Sequence, residues 1–81
     1  MIKLFVKEGC PYCHKVISKI NELNLKEGID YGLTDAAPGT HGRTVILERG
    51  GKSQVPFMID DDVYMYESGN IIKYIQAKFA E

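Results

Sequence analysis

Residues 2–14 read IKLFVKEGCPYCH, and the joint inside this stretch decides the architecture. Ile2, Leu4 and Val6 alternate with Lys3 and Phe5, and the unbroken apolar run Leu4 to Val6 predicts a strand buried on most of both faces. Gly9 breaks it. Pro11 suits the first turn of a helix, because its φ is already set and it lacks an N–H that this position would leave unpaired. From Tyr12 to Asn24 the apolar residues Val16, Ile17, Ile20 and Leu23 fall at i, i+1, i+4 and i+7, one face of an amphipathic helix. His14, Lys15, Ser18, Lys19, Asn21 and Glu22 occupy the rest.

Working outward, Lys26-Glu27-Gly28 is a stop signal, and Ile29 to Leu33 reads as a short second strand. Ala36-Ala37-Pro38-Gly39 is a turn. Thr40 to Arg49 has weak helix propensity, and its Val45-Ile46-Leu47 fits a buried strand equally well. We assign a helix, because parallel strands need a crossover of about a dozen residues between them. Gly50-Gly51 ends it. Val55 to Ile59 and Val63 to Met65 flank Asp60-Asp61-Asp62, a tight connection between antiparallel strands. Ser68 stands where an N-cap is expected, and Ile71, Ile72, Ile75 and Phe79 form the stripe of a closing helix. The order is β-α-β-α-β-β-α. Right-handed crossovers are expected to make the first two β-α-β segments parallel, with the final hairpin adding an antiparallel edge to a mixed sheet of four.

The 81 residues suffice for one domain, 1–81. A hydrophobic fraction of 44% and a charged fraction of 26% exclude a disordered or low-complexity chain. Ten Lys and Arg against eleven Asp and Glu give a net charge of −1 without a basic stripe, which argues against a nucleic-acid partner. No apolar run approaches the roughly eighteen residues of a membrane span. The first strand is too short and too charged for a secretory signal, so a cytoplasmic location is expected.

Two cysteines, Cys10 and Cys13, are the whole thiol inventory. They lie where a buried strand hands over to a helix N-terminus, whose unpaired N–H groups and positive dipole end favour an anion. The sulfur nearest that terminus, Cys10, is expected to ionise more readily than a free thiol and to act as nucleophile. Cys13, one turn on and less exposed, is expected to resolve the mixed disulfide. Three other readings stand beside this one. A structural staple would stabilise by only about 2 kcal/mol for so small a ring. A zinc site would need four ligands, and only His14 and His41 remain to join the cysteines. Cys10 to His14 also spells C-x-x-C-H, the c-type haem attachment pattern, with His41, Met58 or Met65 as the opposite axial ligand. His14 otherwise reads as a solvated side chain, and His41 is uninformative.

Cys10-Pro11-Tyr12-Cys13 after a strand, with Lys7 upstream, resembles the active site of dithiol glutaredoxins. Val55-Pro56 resembles the Val-Pro before the third strand throughout the thioredoxin-like superfamily. The stretch 64–75, YMYESGNIIKYI, is similar to the glutathione site of glutathione S-transferases and of the glutaredoxins nearest them. The likeness covers nearly the whole chain. It implies an α/β thioredoxin-like fold, a four-stranded mixed sheet flanked by three helices, and a monomeric glutathione-dependent thiol–disulfide oxidoreductase. The implied substrates are disulfide-containing or glutathionylated proteins. Glutathione would be a co-substrate, with no metal and no tightly bound cofactor.

The resemblance also implies roles. Val55 would pair its backbone with the cysteine portion of glutathione, beside a cis Pro56. Glu67 would meet the γ-glutamyl ammonium, and Ser68 with the N–H groups of the last helix would hold the α-carboxylate. Lys7 and Tyr12 would face the glycine end, and Gln54 would line the same groove. Tyr66-Glu67-Ser68 replaces the Gly-Gly pair of many glutaredoxins and pulls toward the transferase branch. An end at Glu81 would leave out the transferases' all-helical second domain, so conjugation of apolar electrophiles is not expected. Pro11 disfavours a shared [2Fe–2S] cluster. The rivals are a thioredoxin-like reductase recharged by a flavoprotein, and a glutathione-binding or partner-docking module whose thiols are incidental.

Overall fold

The expected order of elements is the one found. The computed structural model describes residues 1–80 as β1 (Ile2–Val6), α1 (Pro11–Glu22), β2 (Tyr31–Asp35), α2 (His41–Gly50), β3 (Phe57–Asp60), β4 (Val63–Tyr66) and α3 (Ser68–Phe79). The strands form one mixed sheet in the order β2-β1-β3-β4. β1 and β2 are parallel, with Leu4 opposite Leu33. β3 corrects the expected topology: it runs antiparallel to β1, with Phe57 opposite Phe5. The physical reason lies in the course of α2, which starts against Asp35 beside the end of β1 and finishes against Tyr66, so that the chain enters β3 at the same end of the sheet. β3 therefore starts where β1 stops, and the α2 connection joins antiparallel strands.

Several boundaries also move: α2 covers His41–Gly50, β3 begins at Phe57 rather than Val55 because the cis Val55-Pro56 segment precedes it, and β4 runs on to Tyr66. The second strand begins at Tyr31, not Ile29, because Gly28 takes a left-handed φ of 85° and the Asp30 carboxylate accepts the Lys26 N–H at 2.8 Å, closing a turn over 26–30. The 40–49 segment is helical, capped by Thr40, whose Oγ1 accepts the Arg43 N–H at 3.3 Å. Its ambiguous Ile46 is fully buried against the sheet.

Alternation along the strands divides the core. Ile2, Leu4 and Met58 face α1 and α3, where Val16, Ile20, Ile71 and Ile75 meet them. Phe5, Phe57 and Ile59 face the opposite way and pack with Ala36 and Ile46. Phe57 lies 5.8 Å from the Phe5 ring and 4.8 Å from that of Tyr66, centroid to centroid. α1 and α3 thus share one face, and α2 has the other to itself.

Asp60, read from the sequence as part of the hairpin turn, is the last residue of β3 and is buried. Its Oδ2 accepts hydrogen bonds from the Tyr74 hydroxyl at 2.6 Å and the Lys78 ammonium at 2.5 Å, fastening α3 to the sheet. The Lys78 bond, followed by the Tyr74 bond, lowers the Asp60 pKa below its ordinary 3.8. A carboxylate depressed on folding stabilises above its unfolded pKa, and that stabilisation is lost as pH falls through the folded value. Stability therefore drops on acidification below about pH 4, and Asp60→Asn removes that part of the drop; thermal melts of both proteins between pH 5 and pH 2 check it.

Candidate functional site

Cys10 is the N-cap of α1, with extended φ and ψ of −88° and 113°, and Pro11 follows in the first turn. The Cys10 Sγ accepts the backbone N–H of Cys13 at 3.2 Å, so a thiol does here what a serine or aspartate oxygen does at an ordinary N-cap. Its own N–H donates to the Lys7 carbonyl at 3.3 Å, and Gly9, with φ of 80°, makes the turn between. Cys13 is sealed from solvent and Cys10 keeps 8% of its surface exposed. Both are free thiols. Burial pushes the Cys13 thiol up to about 11, helped by its hydrogen bond with Cys10 and opposed by the Lys7 backbone. Cys13 is thus a protonated, inaccessible thiol at neutral pH, while Cys10 is buried but for that small exposed area.

Beside this helix start is a cleft of about 350 Å³ lined by Tyr12, Gln54, Val55, Pro56, Glu67 and Ser68. Topology gathers them: β1 ends, β3 begins and β4 ends at one edge of the sheet, so the start of α1, the Val55-Pro56 segment and the start of α3 converge there. The Val55-Pro56 peptide is cis. Tyr12 is 58% exposed, with the Lys15 ammonium 5.3 Å from its ring centroid. The Gln54 amide donates to the Glu67 carboxylate at 3.2 Å across the mouth. Lys7 does not line the cleft; it lies on the turn before Cys10 and is exposed.

The expected cap at Ser68 is corrected. Glu67 is the N-cap of α3, and Ser68 is already helical. The Glu67 carbonyl accepts the first helical bond, from the Ile71 N–H at 3.0 Å. β4 stays paired as far as Tyr66, opposite Phe57, so the whole bend into α3 falls on Glu67, which takes a left-handed φ of 71°. Such a backbone in a residue other than glycine is sparsely populated and concentrates at functional sites. No side chain caps this helix. Its first amides therefore lack the side-chain oxygen that usually satisfies them.

Three supports were not legible in the sequence. The Tyr66 hydroxyl accepts the Lys52 N–H at 3.0 Å and donates to the Lys52 carbonyl at 2.7 Å, pinning the loop that leads to Gln54. Gly50 lies directly beneath that ring and hydroxyl, and a Cβ there would collide with both. The Arg43 guanidinium bridges the Ala36 carbonyl at 2.8 Å and the Ser53 hydroxyl at 2.9 Å, tying the same loop to the end of β2. All three join residues at least seven apart in the chain; only Gly50 carries a local signal, and it reads as a helix terminator. Among the described residues no three His, Cys, Asp or Glu side chains gather to hold a metal ion, and no helix is long and apolar enough to cross a membrane.

Comparison with known proteins follows the same outline. The family model for the glutathione S-transferase N-terminal domain matches residues 4–81. A glutathione S-transferase from the Antarctic clam Laternula elliptica is 28% identical, with a TM-score of 0.81 over 99% of this chain and 36% of its own. A glutathione S-transferase-I bound with lactoylglutathione is 25% identical, with a TM-score of 0.75 over 95% of this chain and 36% of its own. A thioredoxin-like protein, 18% identical, shares the fold with a TM-score of 0.74 over 95% of this chain and 96% of its own. No curated protein sequence matches. The chain spans about 36% of the length of the transferases it matches.

Proposed function

The chain belongs to the glutathione S-transferase N-terminal domain family, and from the placement of its two cysteines we propose that it is a glutathione-dependent thiol–disulfide oxidoreductase of glutaredoxin type. The observation that carries the reading is the placement of Cys10. It is a helix N-cap whose sulfur takes an amide hydrogen in the role of a capping oxygen, at the same sheet edge as a cleft bearing Val55, Glu67 and Ser68. That sulfur therefore sits among the N–H donors that open α1.

The Cys10 thiolate attacks a disulfide RS–SR′, forming Cys10–S–SR and releasing R′S⁻. On a glutathionylated protein it takes the glutathione sulfur, and the protein thiolate leaves. For a protein disulfide, Cys13 loses its proton and attacks the Cys10 sulfur, closing the internal disulfide and expelling the second substrate thiolate. One glutathione thiolate then reopens that disulfide as a Cys10–glutathione adduct, and a second releases oxidised glutathione. Two electrons reach the substrate and two glutathiones supply them.

In this reading the cleft holds glutathione by its polar ends. The Glu67 carboxylate, steadied by Gln54, faces the γ-glutamyl ammonium. The Ser68 hydroxyl and the uncapped amides of α3 take the α-carboxylate, Val55 pairs with the cysteinyl backbone, and Tyr12 borders the glycine end. Lactoylglutathione in a related transferase supports a glutathione-bearing ligand. Glu67→Ala and Ser68→Ala each raise the KM for glutathione about tenfold with little change in kcat, since each removes a hydrogen bond to a charged group. A coupled assay with glutathione, glutathione reductase and a small glutathione mixed disulfide tests the function; absence of turnover would sink it.

Family membership favours one second reading, a glutathione-binding half of a transferase in which Cys10 is not oxidised and reduced. Glutathione conjugation that survives Cys10→Ser, without disulfide turnover in the parent, would decide for it.

A further inference from the structure

A second cavity, of about 390 Å³, opens on the α2 side of the sheet and shares no lining residue with the cleft beside Cys10. It exists because α2 shields only part of that face. Lys3 on β1 stands between Gly32 on β2 and Ile59 on β3, so the three form one row across the sheet. Gly32 is the floor of the trough. Its backbone is not left-handed, and nothing lies within 4 Å of where a Cβ would stand, so the backbone does not demand glycine there. The missing side chain leaves the space open.

The walls are of two kinds. Phe5, Val45 and Ile59 supply an apolar side, while Lys3, Arg49 and His41, the first residue of α2, supply the polar one. Neither Lys3 nor Arg49 has a carboxylate partner among the described residues. Arg49 donates instead to the Asp61 carbonyl at 3.3 Å, which fixes the guanidinium without neutralising it. Two uncompensated cations beside an apolar wall, around a cavity in the range that takes small organic molecules, specify an occupant by charge and by volume.

We propose that this trough is a second ligand site for a small organic anion, with a carboxylate or sulfonate toward Lys3 and Arg49 and an apolar body against Phe5, Val45 and Ile59. The proposal is independent of the chemistry at Cys10. Naphthalene-2-sulfonate is the probe, titrated into the ¹⁵N-labelled chain with amide shifts as the readout. The expected result is saturable binding with the largest shifts at Lys3, Gly32 and Arg49, unaffected by glutathione. Gly32→Val fills the floor and weakens binding at least tenfold. The surface double variant Lys3→Gln with Arg49→Gln does the same without touching the core, and so decides the matter if Gly32→Val fails to fold. Neutral 2-naphthamide binds the parent at least tenfold more weakly than the sulfonate. Shifts that do not saturate, shifts centred on Tyr12, Gln54 and Ser68, or equal binding of sulfonate and amide would each overturn the proposal.

Discussion

Cys10→Ser brings disulfide turnover to the uncatalysed background, and Cys13→Ser leaves removal of glutathione from a modified cysteine largely intact. The asymmetry follows from what each sulfur can reach. A serine hydroxyl at residue 10 keeps the N-cap, since its oxygen accepts the residue-13 amide as well as sulfur does, so the helix persists and only the nucleophile is lost. No mixed disulfide can form on oxygen. Cys13 cannot substitute, being closed to solvent with its pKa raised to about 11. At pH 7 that leaves about one thiolate in ten thousand. The glutathione route needs only one enzyme sulfur, because the second glutathione resolves the adduct. Steady-state kinetics on a protein disulfide and on a glutathione mixed disulfide separate the two variants. Equal losses in both assays would refute the assigned roles.

Phe57→Ala has the largest expected effect on stability. Phe57 has no exposed surface and contacts the rings of Phe5, Tyr64 and Tyr66 at the centre of the α2 side of the core. Truncating a buried Phe to Ala costs about 3–5 kcal/mol, the lost transfer energy plus the cavity left behind. A chain of this size has roughly 4–12 kcal/mol in total. The variant is expected to melt at least 12 °C lower, about 4 °C per kcal/mol for a domain this small. Tyr64→Ala, at a position 49% exposed, is the comparison and should lose far less. Because Phe57 directly follows Pro56, the same variant should also weaken glutathione binding, read from its KM at a temperature where the fold persists.

The elements legible in the sequence are those whose signals are local. The strand at Ile2–Val6 and the helix that Pro11 opens follow from periodicity and one proline, and the cysteine pair at their junction needs no long-range information. The Val55-Pro56 and Glu67-Ser68 groupings were legible only through their likeness to known glutathione sites, since nothing local brings residues so far apart to one cleft. The direction of β3 was not legible, because it depends on where α2 lies against the sheet and not on the propensity of any residue. Ser68 misled for a related reason: serine favours an N-cap, but β4 pairs through Tyr66 and forces the bend onto Glu67. Asp60 misled because two of its neighbours are turn acids, while its partners Tyr74 and Lys78 lie fourteen and eighteen residues away.

The stacking of Gly50 under Tyr66 sets a rule for anyone who would graft a new recognition loop into this scaffold. The segment between the second helix and the third strand is anchored from outside itself, by a phenol on the last strand and by the empty space that glycine leaves for it. A transplanted sequence will arrive in the right place only if those two residues travel as a unit. Exchanging the loop alone, with a bulkier residue at its root, would displace the very backbone the graft was meant to present.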